Sequence, residues 1–176
     1  MWTAAERLAN RVGHARRHRE VARRIARDPR PERILVICHA NLCRSPYMAA
    51  VLQRLLPNLP VTSAGLFGAG RRVPAEALEC ARHHAVDLGE HRSTLLTRSI
   101  IDAADLVVVM EPRQARMLIG GFGVPADRVV VAGDLDPRNV DPRRIEDPWG
   151  KDLATFERTF LRLGRCARAL ARMLPP

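Results

Sequence analysis

Apolar positions in this chain fall into two kinds of pattern. Four short runs are apolar or β-branched with little alternation, at 34–37, 61–64, 106–109 and 128–132. Such runs suit strands covered on both faces, as in a parallel sheet. Between them, apolar residues recur at helical spacing. Pro46 sits at a first-turn position ahead of Tyr47, Met48, Val51, Leu52 and Leu55, and a turn at 57–60 ends that helix. The stretch 74–86 predicts a helix with Ala77, Leu78, Ala81 and Ala85 on one face. Thr97 is placed to cap a short helix through Ala103, 111–119 predicts another, and a last helix from Asp152 carries Phe156, Phe160 and Leu163. Strands alternating with helices predict an α/β fold, a doubly wound four-stranded parallel sheet with helices on both faces.

Ahead of the first strand, Leu8, Val12, Ala15, Ala22 and Ile25 lie near helical spacing among Arg7, Arg11, Arg16, Arg17, Arg19, Arg23, Arg24 and Arg27. This predicts an extra amphipathic N-terminal helix, with Asp28-Pro-Arg-Pro31 as its stop and linker. Residues 1–30 are read as an arginine-rich helical extension and 31–176 as the main domain. The extension either lies on its own domain with a solvated arginine face, the preferred reading, or forms an arm for a partner or an anionic membrane surface.

Charge and composition narrow the picture. The 176 residues carry a formal net charge of +10, and lysine is nearly absent beside abundant arginine. A basic chain attracts phosphorylated or acidic partners, but no nucleic-acid motif is present and none is expected as a partner. No apolar run reaches bilayer-spanning length and none at the N-terminus is of signal-peptide type, so a cytoplasmic location is expected. Four cysteines, two of them close together at Cys38 and Cys43, fit a reducing compartment better than a disulfide framework. A zinc finger is excluded, because these two lack a second ligand pair at finger spacing and His39 adjoins Cys38.

The candidate chemistry begins where the first strand stops. Cys38 lies at its carboxyl end, five residues separate it from Arg44, and a helix starts at Ser45-Pro46. Successive backbone N–H groups of such a loop curl around a tetrahedral oxyanion, with the thiol beneath it and the guanidinium beside it. A helix N-terminus and a nearby Arg⁺ favour the thiolate, the nucleophilic form of cysteine. Arginine's planar fork holds two equatorial phosphoryl oxygens better than lysine does. The ligand implied is phosphate, bound by His39, Ala40, Asn41, Leu42, Cys43, Arg44 and Ser45. The acid that protonates a departing oxygen is sought among three Asp-Pro pairs, at Asp136, Asp141 and Asp147. Asp147 is chosen because Trp149 and Gly150 follow and the last helix begins soon after; Asp136 is the runner-up, and the pairs not chosen read as ordinary turns.

The run Cys38-His-Ala-Asn-Leu-Cys-Arg-Ser-Pro46 resembles the phosphate-binding loop of the low-molecular-weight protein tyrosine phosphatases. Thr62-Ser-Ala-Gly65, Glu90-His-Arg-Ser93, Ala104-Asp-Leu-Val-Val-Val-Met110 and Asp147-Pro-Trp-Gly150 resemble that family in the same order. The resemblance implies Cys38 as nucleophile, Arg44 as transition-state clamp and Asp147 as general acid and then base, through a cysteinyl-phosphate, with no metal and no cofactor. It implies a web in which Ser45, Ser63 and His91 hold Asn41 in an unusual backbone conformation. Trp149, and Phe67 in the glycine-containing stretch 66–70, are the candidates for the walls of the substrate cleft.

On substrate, arginine phosphatases of the superfamily carry threonine where this chain has Leu42, and tyrosine phosphatases carry a bulky aliphatic. A phosphotyrosine protein is therefore the expected partner, with a bacterial tyrosine kinase of exopolysaccharide synthesis as one candidate. Phosphoarginine hydrolysis and a non-catalytic phosphoprotein-binding module are the alternatives. Arsenate reduction is disfavoured because Glu111-Pro-Arg-Gln-Ala-Arg, just after the third strand, holds no further cysteine. Ala40 stands where the family has glycine, which restricts the loop if that backbone needs a positive φ. Ala49 replaces a common acidic residue. Cys43 is open to two readings, a reversible disulfide with Cys38 or burial as a small hydrophobe. Cys80 and Cys166 are expected to pack, and His83 and His84 to be exposed.

Overall fold

The computed structural model describes residues 4–27, 30–138 and 142–174, with side chains from residue 9 to 26 in the first segment. Its centre is a parallel sheet of β1 (Ile34–Cys38), β2 (Val61–Gly65), β3 (Leu106–Val109) and β4 (Val129–Val131), in the order β2-β1-β3-β4. β1 and β3, the interior strands, are buried along their whole length. Alternation then sorts their side chains: Ile34, Val36 and Cys38 join one apolar cluster, Leu35 and Ile37 the other. The absence of polar alternation in the sequence therefore reports a core on each face.

Among the described residues, six α-helices cover those faces. They are α1 (Ala4–Arg27), α2 (Arg44–Leu55), α3 (Ala75–His83), α4 (Arg98–Asp102), α5 (Pro112–Phe122) and α6 (Leu153–Met173). The larger cluster takes Met48 and Leu52 of α2, Ala77 and Cys80 of α3, and Phe156, Phe160, Leu163 and Cys166 of α6. The smaller takes Ile101 and Leu118, from α4 and α5. Tyr47 stacks on Phe160 with ring centroids 4.0 Å apart, joining α2 to α6. Two caps match their residue types: Asp152 accepts from Thr155 N–H at 2.9 Å to start α6, and Gly123, at φ 66°, ends α5 in the left-handed region. Neighbours β1 and β3 are reached from opposite sides of the sheet, so the loops after them part and leave a crevice at their carboxyl ends.

Several expectations change. α3 stops at His83, and Ala85, predicted on its buried face, is exposed at φ 55°. The buried Val86 donates its N–H to Ala81 O, and the chain turns left-handed before it to bring that side chain inward. Leu55, predicted on the apolar face of α2, is exposed at the helix end. His84 is half-buried, and both His83 and His84 bond Glu157.

The reading of Asp136 as an ordinary turn residue also fails. Its carboxylate is fully buried and accepts from Arg162 Nε at 3.2 Å, Arg165 Nη2 at 2.9 Å and the Arg138 amide at 3.1 Å. Asp141 and the start of the 28–31 linker lie outside the described residues. α1 is laid on the domain. Val21 and Ile25 enter the larger cluster, His14 Nε2–H donates to Asp136 O at 2.9 Å, and Arg17 pairs with Asp134 at 3.1 Å.

Candidate active site

The loop from Cys38 to Arg44 begins as β1 leaves the sheet and ends as α2 starts, so its amides converge at a helix N-terminus. Cys38 Sγ receives two donors, the Asn41 N–H at 3.2 Å and the Ser45 hydroxyl at 3.1 Å. Both stabilise negative charge on sulfur.

Asn41 has φ 55°, one of two non-glycine residues among those described with positive φ, and asparagine tolerates that region. Its side chain is fully engaged. Nδ2 donates to Ser45 Oγ at 2.9 Å and Ser63 Oγ at 2.8 Å, and Oδ1 accepts from the Thr94 amide at 2.8 Å. His91 Nε2–H donates to the Asn41 carbonyl at 2.9 Å. The web expected around Asn41 is thus present with all its members, and Thr94 joins it unforeseen. Ala40 is not in the positive-φ region, so its substitution for glycine leaves the loop unstrained. Gly65 has a role that its place in Thr62-Ser-Ala-Gly65 signalled without explaining: a Cβ there would lie 2.6 Å from Ala40 C and Asn41 N. Only glycine lets β2 pass that close beneath the loop.

Arg44 is almost wholly buried at the start of α2. Nη1 donates to Ile145 O at 3.2 Å, Nη2 pairs with Asp147, and the buried Nε has no partner. An unpaired guanidinium N–H in this position is a vacant donor for an anion. Asp147 is about half exposed and accepts from the Trp149 amide at 3.3 Å. Asp136, the runner-up, serves α6 instead.

These residues enclose a cavity of about 260 Å³ lined by Cys38, His39, Ala40, Leu42, Cys43, Arg44, Arg71, Asp147 and Trp149. Trp149 forms a wall at 50 % exposure, with the Arg71 guanidinium 5.3 Å from its ring centroid. Arg71 was not foreseen, and only its position directly after the 66–70 stretch hints at it. Phe67 caps His39 at the rim, centroids 4.6 Å apart, rather than lining the cavity. Cys43 is buried, and burial, then the neighbouring Cys38, pushes its thiol well above the ordinary cysteine range. That environment suits the packing reading of Cys43. Cys80 and Cys166 are buried as expected.

Residues 33–175 match the family model for low molecular weight phosphotyrosine protein phosphatase. The chain belongs to that family. It is therefore a cysteine-dependent protein-tyrosine phosphatase by class. It is 37 % identical over 126 residues to the probable low molecular weight protein-tyrosine-phosphatase EpsP of Ralstonia nicotianae, covering 70 % of this chain and 83 % of that protein. Vibrio vulnificus Wzb, solved in complex with benzylphosphonate, superposes on this phosphatase with a TM-score of 0.74 and 31 % identity, over 81 % of this chain and 99 % of that one. The arginine phosphatase YwlE of Geobacillus stearothermophilus gives 0.72 at 29 % identity, over 82 % and 92 %.

Proposed function

We propose that this phosphatase hydrolyses phosphotyrosine in a protein substrate, with Cys38, Arg44 and Asp147 as its catalytic residues. The observation that carries the proposal is the arrangement around one cavity: a sulfur with two donors, a buried arginine with a vacant N–H, and a half-exposed carboxylate beside an indole. Cys38 Sγ attacks phosphorus as the bond to the phenolic oxygen breaks. The loop amides of residues 39–45 and the Arg44 fork hold the three equatorial oxygens, whose charge changes most in the transition state. Asp147 gives its proton to the leaving phenolate, then takes one from the water that attacks the cysteinyl-phosphate, releasing inorganic phosphate and the Cys38 thiolate. Ser45, already 3.1 Å from the sulfur, donates to that departing thiolate. The Arg44–Asp147 pair holds the acid over the cavity between turnovers.

Two features favour an aryl ester over phosphoarginine. Trp149 offers a flat wall for a phenyl ring, and Leu42, buried against the cavity, adds no hydroxyl for a guanidinium group to bond. A relative holding benzylphosphonate, a phenyl ring one carbon from phosphorus, agrees with this. The similarity to an arginine phosphatase keeps phosphoarginine as the second reading. A tyrosine kinase of exopolysaccharide synthesis remains the candidate target. Among the described residues no helix is long and apolar enough to cross a membrane, and the free state of all four cysteines supports a cytoplasmic setting. Within the extension 1–30, α1 braces the catalytic domain 31–176 at the segment after β4, through His14 on Asp136 and Arg17 on Asp134.

Steady-state hydrolysis of phosphotyrosine and phosphoarginine peptides by wild type and Cys38→Ser tests the proposal. Turnover of phosphotyrosine lost in the variant is expected. Tight binding without turnover would replace the enzyme by a binding module, and a preference for phosphoarginine would overturn the argument from Leu42 and Trp149.

A further inference from the structure

Away from the phosphate loop, the carboxyl-terminal end of α3 faces the amino-terminal half of α6 across a group of side chains that the proposed chemistry does not use. Cys80 lies in the last turn of α3, and His84 follows the helix end directly, four positions on. Their Sγ and imidazole nitrogen, with an oxygen of Glu157 from α6, all lie within 4.8 Å of one another. His84 Nε2 is 2.9 Å from Glu157 Oε2, and His83 Nδ1 is 2.7 Å from Oε1. Cys80 and His83 of α3, with His84 just past its end, therefore gather around one acid of α6.

We infer that Cys80, His84 and Glu157 form a binding site for a zinc-class divalent cation, with His83 orienting the carboxylate from its far oxygen. One sulfur, one imidazole nitrogen and one carboxylate oxygen are the donor types zinc takes, at about 2.0 to 2.3 Å each. Ligand atoms on such an ion stand well under 4.8 Å apart, so small side-chain rotations close the set. A cation takes the place of the His84 proton on Glu157 Oε2 and of the Cys80 thiol proton, and the His83 bond to Oε1 stays. Cys80 is fully buried, whereas His84 and Glu157 are partly exposed, so the fourth coordination position opens to solvent for a water. The histidine–carboxylate contact from His83 is the kind of outer bond that fixes a ligand's orientation.

The bound ion ties α3 to α6. His84 also meets the edge of Tyr47 with ring centroids 5.9 Å apart, and Tyr47 stacks on Phe160, so the tie reaches α2, the helix that starts at Arg44. Its consequence is bracing of the helices behind the phosphate loop.

The test uses the full chain carrying Cys38→Ser, which removes the phosphate-loop thiol at the cavity. Titration with Co²⁺ reads a thiolate-to-metal charge-transfer absorption, and Zn²⁺ displacement then gives the affinity. One equivalent is expected, with the absorption abolished by Cys80→Ala, binding lost in Glu157→Gln, and affinity reduced about tenfold or more by His83→Ala. Zn²⁺ also raises the melting temperature of the Cys38→Ser protein and leaves that of Cys38→Ser/Glu157→Gln unmoved. Glu157 is partly exposed, so its variant folds even if Cys80→Ala does not. Absence of saturable binding, or an absorption that survives in Glu157→Gln, overturns the site and leaves a hydrogen-bonded histidine–glutamate cluster only. Neither outcome depends on phosphatase activity.

Discussion

Replacing Asp136 by alanine separates an acid that holds the fold together from one that does chemistry. Its two oxygens are fully buried and face Arg162 and Arg165, whose side chains are themselves largely covered. Removing the carboxylate takes the negative charge from both guanidinium groups and frees the Arg138 amide. Breaking a buried pair by deleting one partner costs about 3–5 kcal/mol, most of it the charge left behind. In a protein of this size each kcal/mol lowers the melting temperature by about 2–4 °C, so a fall of roughly 6–20 °C is expected. Asp136→Asn keeps an oxygen acceptor and falls between that value and wild type. Thermal unfolding followed by circular dichroism measures the loss, and kcat for a phosphotyrosine peptide, whose phenolate must be protonated as it leaves, is read well below both transitions. The expected result is a large stability loss with kcat per folded molecule within about twofold, because Asp136 does not line the cavity. An unmoved melting temperature with kcat reduced by about a hundredfold or more would make Asp136 the proton donor and sink the assignment of Asp147.

Asp147→Ala is expected to lower kcat by about 10²–10⁴-fold on phosphotyrosine, with much less effect on an aryl ester whose leaving group needs no proton. Equal losses on both substrates would remove it from the acid role. Gly65→Ala drives a Cβ into backbone that has nowhere to go, 2.6 Å from Ala40 and Asn41. A loss of about 10²-fold in kcat/KM and weakened vanadate inhibition are expected. Normal kinetics would show that the loop does not need that close approach. Arg71→Ala removes the cation held over Trp149 and is expected to raise KM about twofold to fivefold, with kcat little changed. A fall confined to kcat would instead put Arg71 in contact with the transition state.

What could be read from sequence was whatever the chain carries in one piece. The apolar runs at 34–37 and 106–109, without alternation, reported strands covered on both faces. The loop from Cys38 to Arg44 carries thiol, amides and guanidinium within seven consecutive residues. A loop that short, closed by a strand on one side and a helix on the other, has its geometry set by its own backbone. Ser63 and His91 were found because they lie in motifs resembling the family's, even though they come from other loops. The helix end at His83 was misplaced because apolar spacing continued through Ala85, and burial of Val86 outweighed propensity.

The sequence preferred Asp147 as the acid, and tertiary packing shows what Asp136 does instead. Asp136 and Asp147 are both followed by proline and look alike locally. One is drawn under Arg162 and Arg165 when α6 packs, and the other is left half exposed beside Arg44. Arg71 and Trp149 meet across 78 positions, and Cys80 and Glu157 across 77. Neither pairing has a local signature, because side-chain contact depends on where the sheet and helices place two distant backbones. The sequence by itself thus determined the layered fold and the anion-binding loop, both products of local pattern. The buried role of Asp136, the place of Arg71 over Trp149 and the histidine–cysteine–glutamate group came only with the packing of α3 and α6 and the loops that precede them.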